Sequence, residues 1–100
     1  MDINKAIRMA VDTGDVQFGS RKSSKAASAG KPKMIILSKN CPVKAKQEIE
    51  RNAKLSGIPV LVYGGTSIEL GSLCGKPFPV SSLSIIEPGN STILGAAKGQ

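Results

Sequence analysis

The sequence predicts an α/β layered sandwich with helices on both faces of a sheet. Three observations lead there. Helix-period and strand-like segments alternate along the whole chain, the pattern of layered α/β folds. The run "KMIILS" is apolar without interruption, as a strand covered on both faces must be. Glycines punctuate the segment ends at Gly14, Gly30 and Gly57. A chain of 100 residues with 40% hydrophobic content fits a single domain, residues 1–100, whose core is real but modest. Aromatics make up only 3%, so that core has to be aliphatic.

The elements follow in order. Asp2 can cap a helix in which Ile3, Ala6, Ile7, Ala10 and Val11 recur at helical spacing, with Gly14 past its end. "DVQF" is a short strand. Ser20 caps a second helix whose Ala26, Ala27 and Ala29 make a thin face suited to close approach on a sheet, and Gly30 stops it. After the "KMIILS" strand, "NCP" begins another helix, because proline suits the first helical position. Ala45, Ile49 and Ala53 form its apolar stripe, Glu50 and Lys54 can pair on its exposed side, and Gly57 closes it. "IPVLVY" is the third strand. In "GGTSIELGSLCG" a glycine loop leads into a short helix, capped by Thr66 or Ser67, with Glu69 in its first turns. "KPFP" is a rigid loop, and "VSSLSIIEPG" is the fourth strand, ended by a Pro-Gly turn. "STILGAA" fits a final strand or a helical turn equally well.

Charge narrows the function. The net charge is +7, and it is concentrated. Arg21, Lys22, Lys25, Lys31, Lys33, Lys39, Lys44 and Lys46 occur with no acidic residue among them, so this segment carries +8 and the rest of the chain −1. Such a surplus points to a polyanion, nucleic acid before membrane. Two distant cysteines, Cys41 and Cys74, outside any C-x-x-C pair, fit reduced thiols of a cytoplasmic protein better than a disulfide. The amphipathic start "MDINKAIRMAVDTG" is neither a signal peptide nor a membrane span.

Catalysis is disfavoured. There is no histidine, and the seven acidic residues are scattered, so no nucleophile has an evident base and no metal cluster is in sight. The expectation is no enzyme, no cofactor and no metal. Lys76 beside Cys74 could lower that thiol's pKa if it were partly exposed; a small buried thiol is the simpler reading. "GSRKSSK" lacks the second glycine of a nucleotide-binding phosphate loop. Its turn and helix start still form an anion site, to which Arg21 and Lys22 add charge that otherwise opposes the helix dipole.

Two turn residues carry open alternatives. Asn40 follows the buried strand at its C-terminal end, where ligands of α/β sheets bind, and can either meet a base edge or cap the next helix. Phe78, between two prolines, can stack on an unpaired RNA base or fold into the core. If the strands lie side by side, the loops of Gly19, Asn40 and Phe78 converge at one end.

The segments "DTGDVQFGSRKS", "KMIILSKNCP", "AKLSGIPV", "GTSIELGSLCGKPF" and "SIIEPGNSTIL", in this order, cover nearly the whole chain. Through them the chain resembles the archaeal and eukaryotic large-subunit ribosomal protein family thirty-e, within the kink-turn RNA-binding superfamily. The resemblance implies a three-layer α/β/α sandwich around a four-stranded mixed sheet. It implies ribosomal RNA and other large-subunit components as partners, in the cytoplasm, with no membrane and a monomer when free. It implies that a sharply bent internal loop is gripped by Gly19, Ser20, Arg21 and Lys22, by Asn40, and by the loop Lys76, Pro77, Phe78, Pro79 and Val80. Lys25, Lys39 and Lys44, the basic residues nearest these elements, are expected to bind the RNA with them. Other branches carry Asn-Glu after the glycine turn, where this chain has Arg21-Lys22. That disfavours a small-nucleolar-RNA core protein and supports the thirty-e branch. The rival readings are a core protein of another RNA-protein particle and a protein-interaction module built on Ile58, Val60 and Leu61 or on the "SIELGSL" helix.

Overall fold

A computed structural model describes residues 3–19, 25, 29–89 and 93. The elements are α1 (Ile3–Thr13), β1 (Asp15–Phe18), β2 (Met34–Leu37), α2 (Val43–Ser56), β3 (Val60–Val62), α3 (Ser67–Leu73) and β4 (Ser82–Glu87). The four strands form one sheet in the order β1-β4-β2-β3. β4 runs antiparallel to both β1 and β2, while β2 and β3 are parallel, so the sheet is mixed.

Strand alternation sends neighbouring side chains to opposite faces and divides the core into two. Met34 and Ile36 of β2, with Leu83 and Ile85 of β4, pack against Ala6, Ile7 and Ala10 of α1 and Leu70 of α3. Ile35 and Leu37 pack on the other side against Ile49 and Ala53 of α2. All four β2 side chains are buried, which is why that stretch reads as one apolar run. With helices on both faces, the architecture is the three-layer α/β/α sandwich. Ser82 and Ser84, opposite Leu37 and Ile35, lie on the α2 face; both are buried, and the Ser84 hydroxyl has no hydrogen-bond partner.

Several local expectations are met, and others change. Gly57 closes α2 in the left-handed conformation (φ 70°) and donates its amide to the Ala53 and Lys54 carbonyls. Pro42 sits one position earlier than expected, at the N-cap of α2 rather than in its first turn. Glu50 and Lys54 are both exposed and do not pair, whereas Arg8 Nε and Asp12 form an i, i+4 ion pair at 3.0 Å in α1. Exposed i, i+4 pairs are worth only a few tenths of a kcal/mol, about 0.3–0.5, too little to hold a geometry by themselves. The Asp2 cap and most of the Ser20–Gly30 helix lie outside the described residues. Within that helix Lys25 is helical, and the Ala29 amide donates to its carbonyl at 3.2 Å. Of "STILGAA" only Ile93 is described; it is helical and buried in the α1 face of the core.

Candidate nucleic-acid interface

The sheet topology decides which loops meet. Because β4 is antiparallel to β1 and β2, the C-terminal ends of those two strands lie beside the start of β4. The Gly19 amide donates to the Ser82 carbonyl at 3.0 Å, and the Ser38 amide to that of Ser81 at 2.8 Å. β3 ends at the same side, where the Tyr63 amide donates to Leu37 at 2.7 Å and the Lys39 amide to Gly65 at 2.8 Å. The turns after β1, β2 and β3 and the segment before β4 thus share one rim, which holds Gly19, Asn40 and Phe78.

The Lys76–Val80 loop is pinned to α3 at both ends. The Lys76 amide donates to the Gly71 carbonyl and the Val80 amide to the Ser67 carbonyl, each at 2.9 Å. Gly71 allows this approach: a Cβ there would collide with the carbonyl oxygen of Phe78. Val80 is a core residue, 2% exposed, so it anchors the loop from inside and does not contribute to its outer surface. Phe78 is 50% exposed, which settles its orientation outward. Pro77 and Pro79 flank it at the surface. Between this loop and the end of β1 lies an open cleft of about 510 Å³, lined among others by Phe18, Gly19, Phe78, Pro79 and Ser81.

Of its two sequence-level alternatives, Asn40 does not take the cap of the next helix, α2, whose N-cap Pro42 has no side-chain hydrogen bond. Its Oδ1 accepts the Ser67 amide at 2.8 Å and faces the Ser38 hydroxyl at 3.1 Å. Ser67 is the first residue of α3, so Asn40 satisfies a helix-start amide 27 residues away in sequence. An amide N–H can only donate, which fixes the Asn40 oxygen inward. The two Nδ2 protons make no hydrogen bond to a described residue, on a side chain that is exposed overall. Thr66 completes the α3 start by accepting the Glu69 amide at 3.3 Å.

Positive charge surrounds this rim. Lys39 precedes Asn40, Lys44 lies in the first turn of α2, and Lys25 follows the Gly19 turn; all three are exposed and without a carboxylate partner. Lys33, in contrast, lies at the opposite end of the sheet and pairs with Glu87 at 3.1 Å. Lys76 is half-buried, its ammonium 4.8 Å from the centroid of the Phe18 ring. Ser20, Arg21 and Lys22 lie outside the described residues. Gly19 itself has φ 105°, a conformation that only glycine adopts easily. Phe18 is the residue that sequence reasoning passed over. It is one of only two phenylalanines, and that scarcity was the available signal.

Nucleophilic chemistry finds no support in the thiols. Cys41 and Cys74 are unpaired and buried. Burial pushes the Cys74 thiol up to about 11, outweighing the lowering by Arg8 and Lys76, which corrects the possibility of an activated thiol beside Lys76. Burial likewise raises the Cys41 thiol. The rival protein-interaction surface also loses its strand, because Ile58 and Leu61 are buried in the core. Among the described residues no helix is long and apolar enough to cross a membrane.

Comparisons with known proteins agree with this architecture. A relative from Methanothermobacter thermautotrophicus, described as large ribosomal subunit protein eL30, is 52% identical over 94 residues, covering 94% of this chain and 96% of that protein. A protein of the same description from Methanopyrus kandleri is 42% identical over 97 residues, covering 97% of this chain and 89% of its own length. The solved structure of a protein with unknown function from Bacillus halodurans matches with a TM-score of 0.82 across 99% of this chain and 98% of that one; at 22% identity it shows the fold alone. The family model described as "Ribosomal protein L7Ae/L30e/S12e/Gadd45 family" matches residues 1–95, and the chain therefore belongs to that family.

Proposed function

We propose that the protein is a structural, non-catalytic constituent of the large ribosomal subunit that binds ribosomal RNA at a kink-turn-like internal loop. The observation that carries this reading is the shared rim. Gly19, Asn40 and Phe78, far apart in sequence, are held together at one end of the sheet by backbone and side-chain hydrogen bonds, beside unpaired lysines. The relatives described as large ribosomal subunit proteins support the particle, and the resemblance of the loops supports the kind of RNA.

The chemistry follows from what each residue presents. Asn40 offers only donors outward, so its RNA partner is an acceptor atom of a base edge, a 2′-hydroxyl or a phosphate. Phe78 offers a half-exposed ring on a stiff loop, against which an unpaired base can stack. Lys25, Lys39, Lys44 and Lys76, with Arg21 and Lys22 before them, offer cations to the backbone phosphates. Phosphates would supply salt-dependent affinity, while a sharply bent loop supplies the geometry that lets all three elements engage together. The protein is a monomer when free and works at the ribosome, in the cytoplasm, with no membrane role.

Crosslinking in cells followed by sequencing of the bound RNA tests this directly. Crosslinks at Phe78 and the Gly19 turn that gather on one bent internal loop of large-subunit ribosomal RNA are the expected result. Crosslinks on guide RNAs would move the protein to another particle. Absence of retained RNA at physiological salt would leave the protein-interaction reading in its place.

A further inference from the structure

We propose that Phe18 is a positioning residue of this interface: its ring holds the Lys76 ammonium at the cleft rim, near Phe78, before any RNA arrives. The inference rests on the RNA-binding reading and adds to it a residue with no polar atom of its own. Phe18 ends β1, and its ring is half-buried against the α1 face of the core, which fixes it in place. Lys76 has its backbone fixed as well, by the amide bond to Gly71 at 2.9 Å. Between these two anchors the Lys76 chain lies with its ammonium 4.8 Å from the ring centroid. Both Phe18 and Phe78 line the same cleft.

The physical advantage is entropic. A free lysine side chain gives up close to the largest rotamer entropy of any residue when a phosphate orders it. A ring face attracts the ammonium through its quadrupole and restricts the chain in advance. It leaves the N–H donors on the side away from the ring free to meet an anion. Lysines on open surface, such as Lys39 and Lys44, have no such support. Lys76 is therefore a cation whose position, and not just its charge, is built into the fold.

The test combines the free protein with a purified kink-turn RNA. In the free protein, NMR should show the Lys76 ε-methylene protons shifted upfield by the ring, a shift kept in Phe18→Tyr and lost in Phe18→Leu. Phe18→Leu should weaken RNA binding about two- to fivefold, the size of an exposed cation–π contact. Phe18→Tyr should keep wild-type affinity, and in a Lys76→Met background Phe18→Leu should have no further effect. Equal losses in both backgrounds would mean that Phe18 acts through packing alone, and would overturn the proposal. So would tighter binding by Phe18→Leu, or Lys76 protons at ordinary shifts in the free wild-type protein. A wild-type chain that fails to retain the RNA would remove the underlying RNA reading, and with it this proposal; that failure shows in the wild-type measurement, apart from any variant.

Discussion

If the proposed interface is right, Asn40 combines structure and recognition in one side chain, and two substitutions can pull the two apart. In Asn40→Ala the Ser67 amide loses its acceptor at 2.8 Å. Ser67 is buried, so water does not simply replace that bond. Leaving a buried donor unsatisfied costs about 1–3 kcal/mol. For a domain of this size that corresponds to a fall in melting temperature of roughly 5–20 °C. Asn40→Asp keeps an oxygen at the same place, facing the start of α3, where an anion is at least as good an acceptor. Its stability should stay within about 0.5 kcal/mol of wild type, as for a substitution that leaves the structure's bonds intact. The outward face changes in the other sense: two donors become a carboxylate beside phosphates. RNA affinity should fall at least about tenfold, or 1.4 kcal/mol, in Asn40→Asp. Thermal unfolding and filter binding at one fixed salt concentration measure the two quantities side by side. If Asn40→Asp melts as low as Asn40→Ala, the Oδ1 geometry is wrong. If it binds RNA as well as wild type, Nδ2 is not the recognising group.

Further outcomes follow from the same structure. Phe78→Ala should leave the fold intact, since the ring is half-exposed, and weaken RNA binding by about 1–3 kcal/mol through lost stacking; unchanged affinity in a titration would remove Phe78 from the interface. Arg21→Ala should reduce the slope of log affinity against log salt by roughly 0.7–0.9 for one lost phosphate contact, and an unchanged slope refutes that contact. Ser84→Ala should stabilise the fold by about 1 kcal/mol in urea denaturation, because it removes a buried hydroxyl that has no partner; a loss of stability would show that the hydroxyl is satisfied. The raised Cys74 thiol makes the folded state hold its proton more tightly than the unfolded chain. Its contribution is complete below the ordinary thiol pKa of 9.0 and is lost as pH rises toward about 11. Subtracting the Cys74→Ala profile from that of wild type isolates this slope, and identical profiles would show that Cys74 does not titrate differently in the two states.

Much of this was legible wherever the deciding interaction is local. "MIIL" reads as a buried strand because every one of its side chains is buried, and Gly57 reads as a helix stop because its left-handed turn needs glycine. Thr66 reads as a cap because its partner amide is three residues away. The site depends on contacts that local rules do not reach. The Asn40 acceptor meets an amide from another helix. The outward turn of Phe78 depends on its neighbour Val80 being drawn into the core by a bond to Ser67. The strand order β1-β4-β2-β3, which brings the loops to one rim, has no trace in periodicity. Charge failed in the other direction: Glu50 and Lys54 have the spacing of a pair, yet solvent competes well enough that they stay apart.

The shortness of α3 has a consequence for how the protein matures. Seven residues make two turns, too few to be stable in water without tertiary support. Its ends are held from far away: Asn40 takes the first amide, and Arg8 donates to the Leu73 carbonyl at 3.3 Å across 65 residues of sequence. Contacts of such separation close late, after the entropy of long loops has been overcome. The expected order is therefore that the helix carrying the Phe78 loop takes shape after the two halves of the chain have met. A chain that lacks these contacts has the full positive charge but not the rim. On the proposed function, recognition of one RNA shape would then require the completed fold, and slow amide exchange at Ser67 would mark that completion.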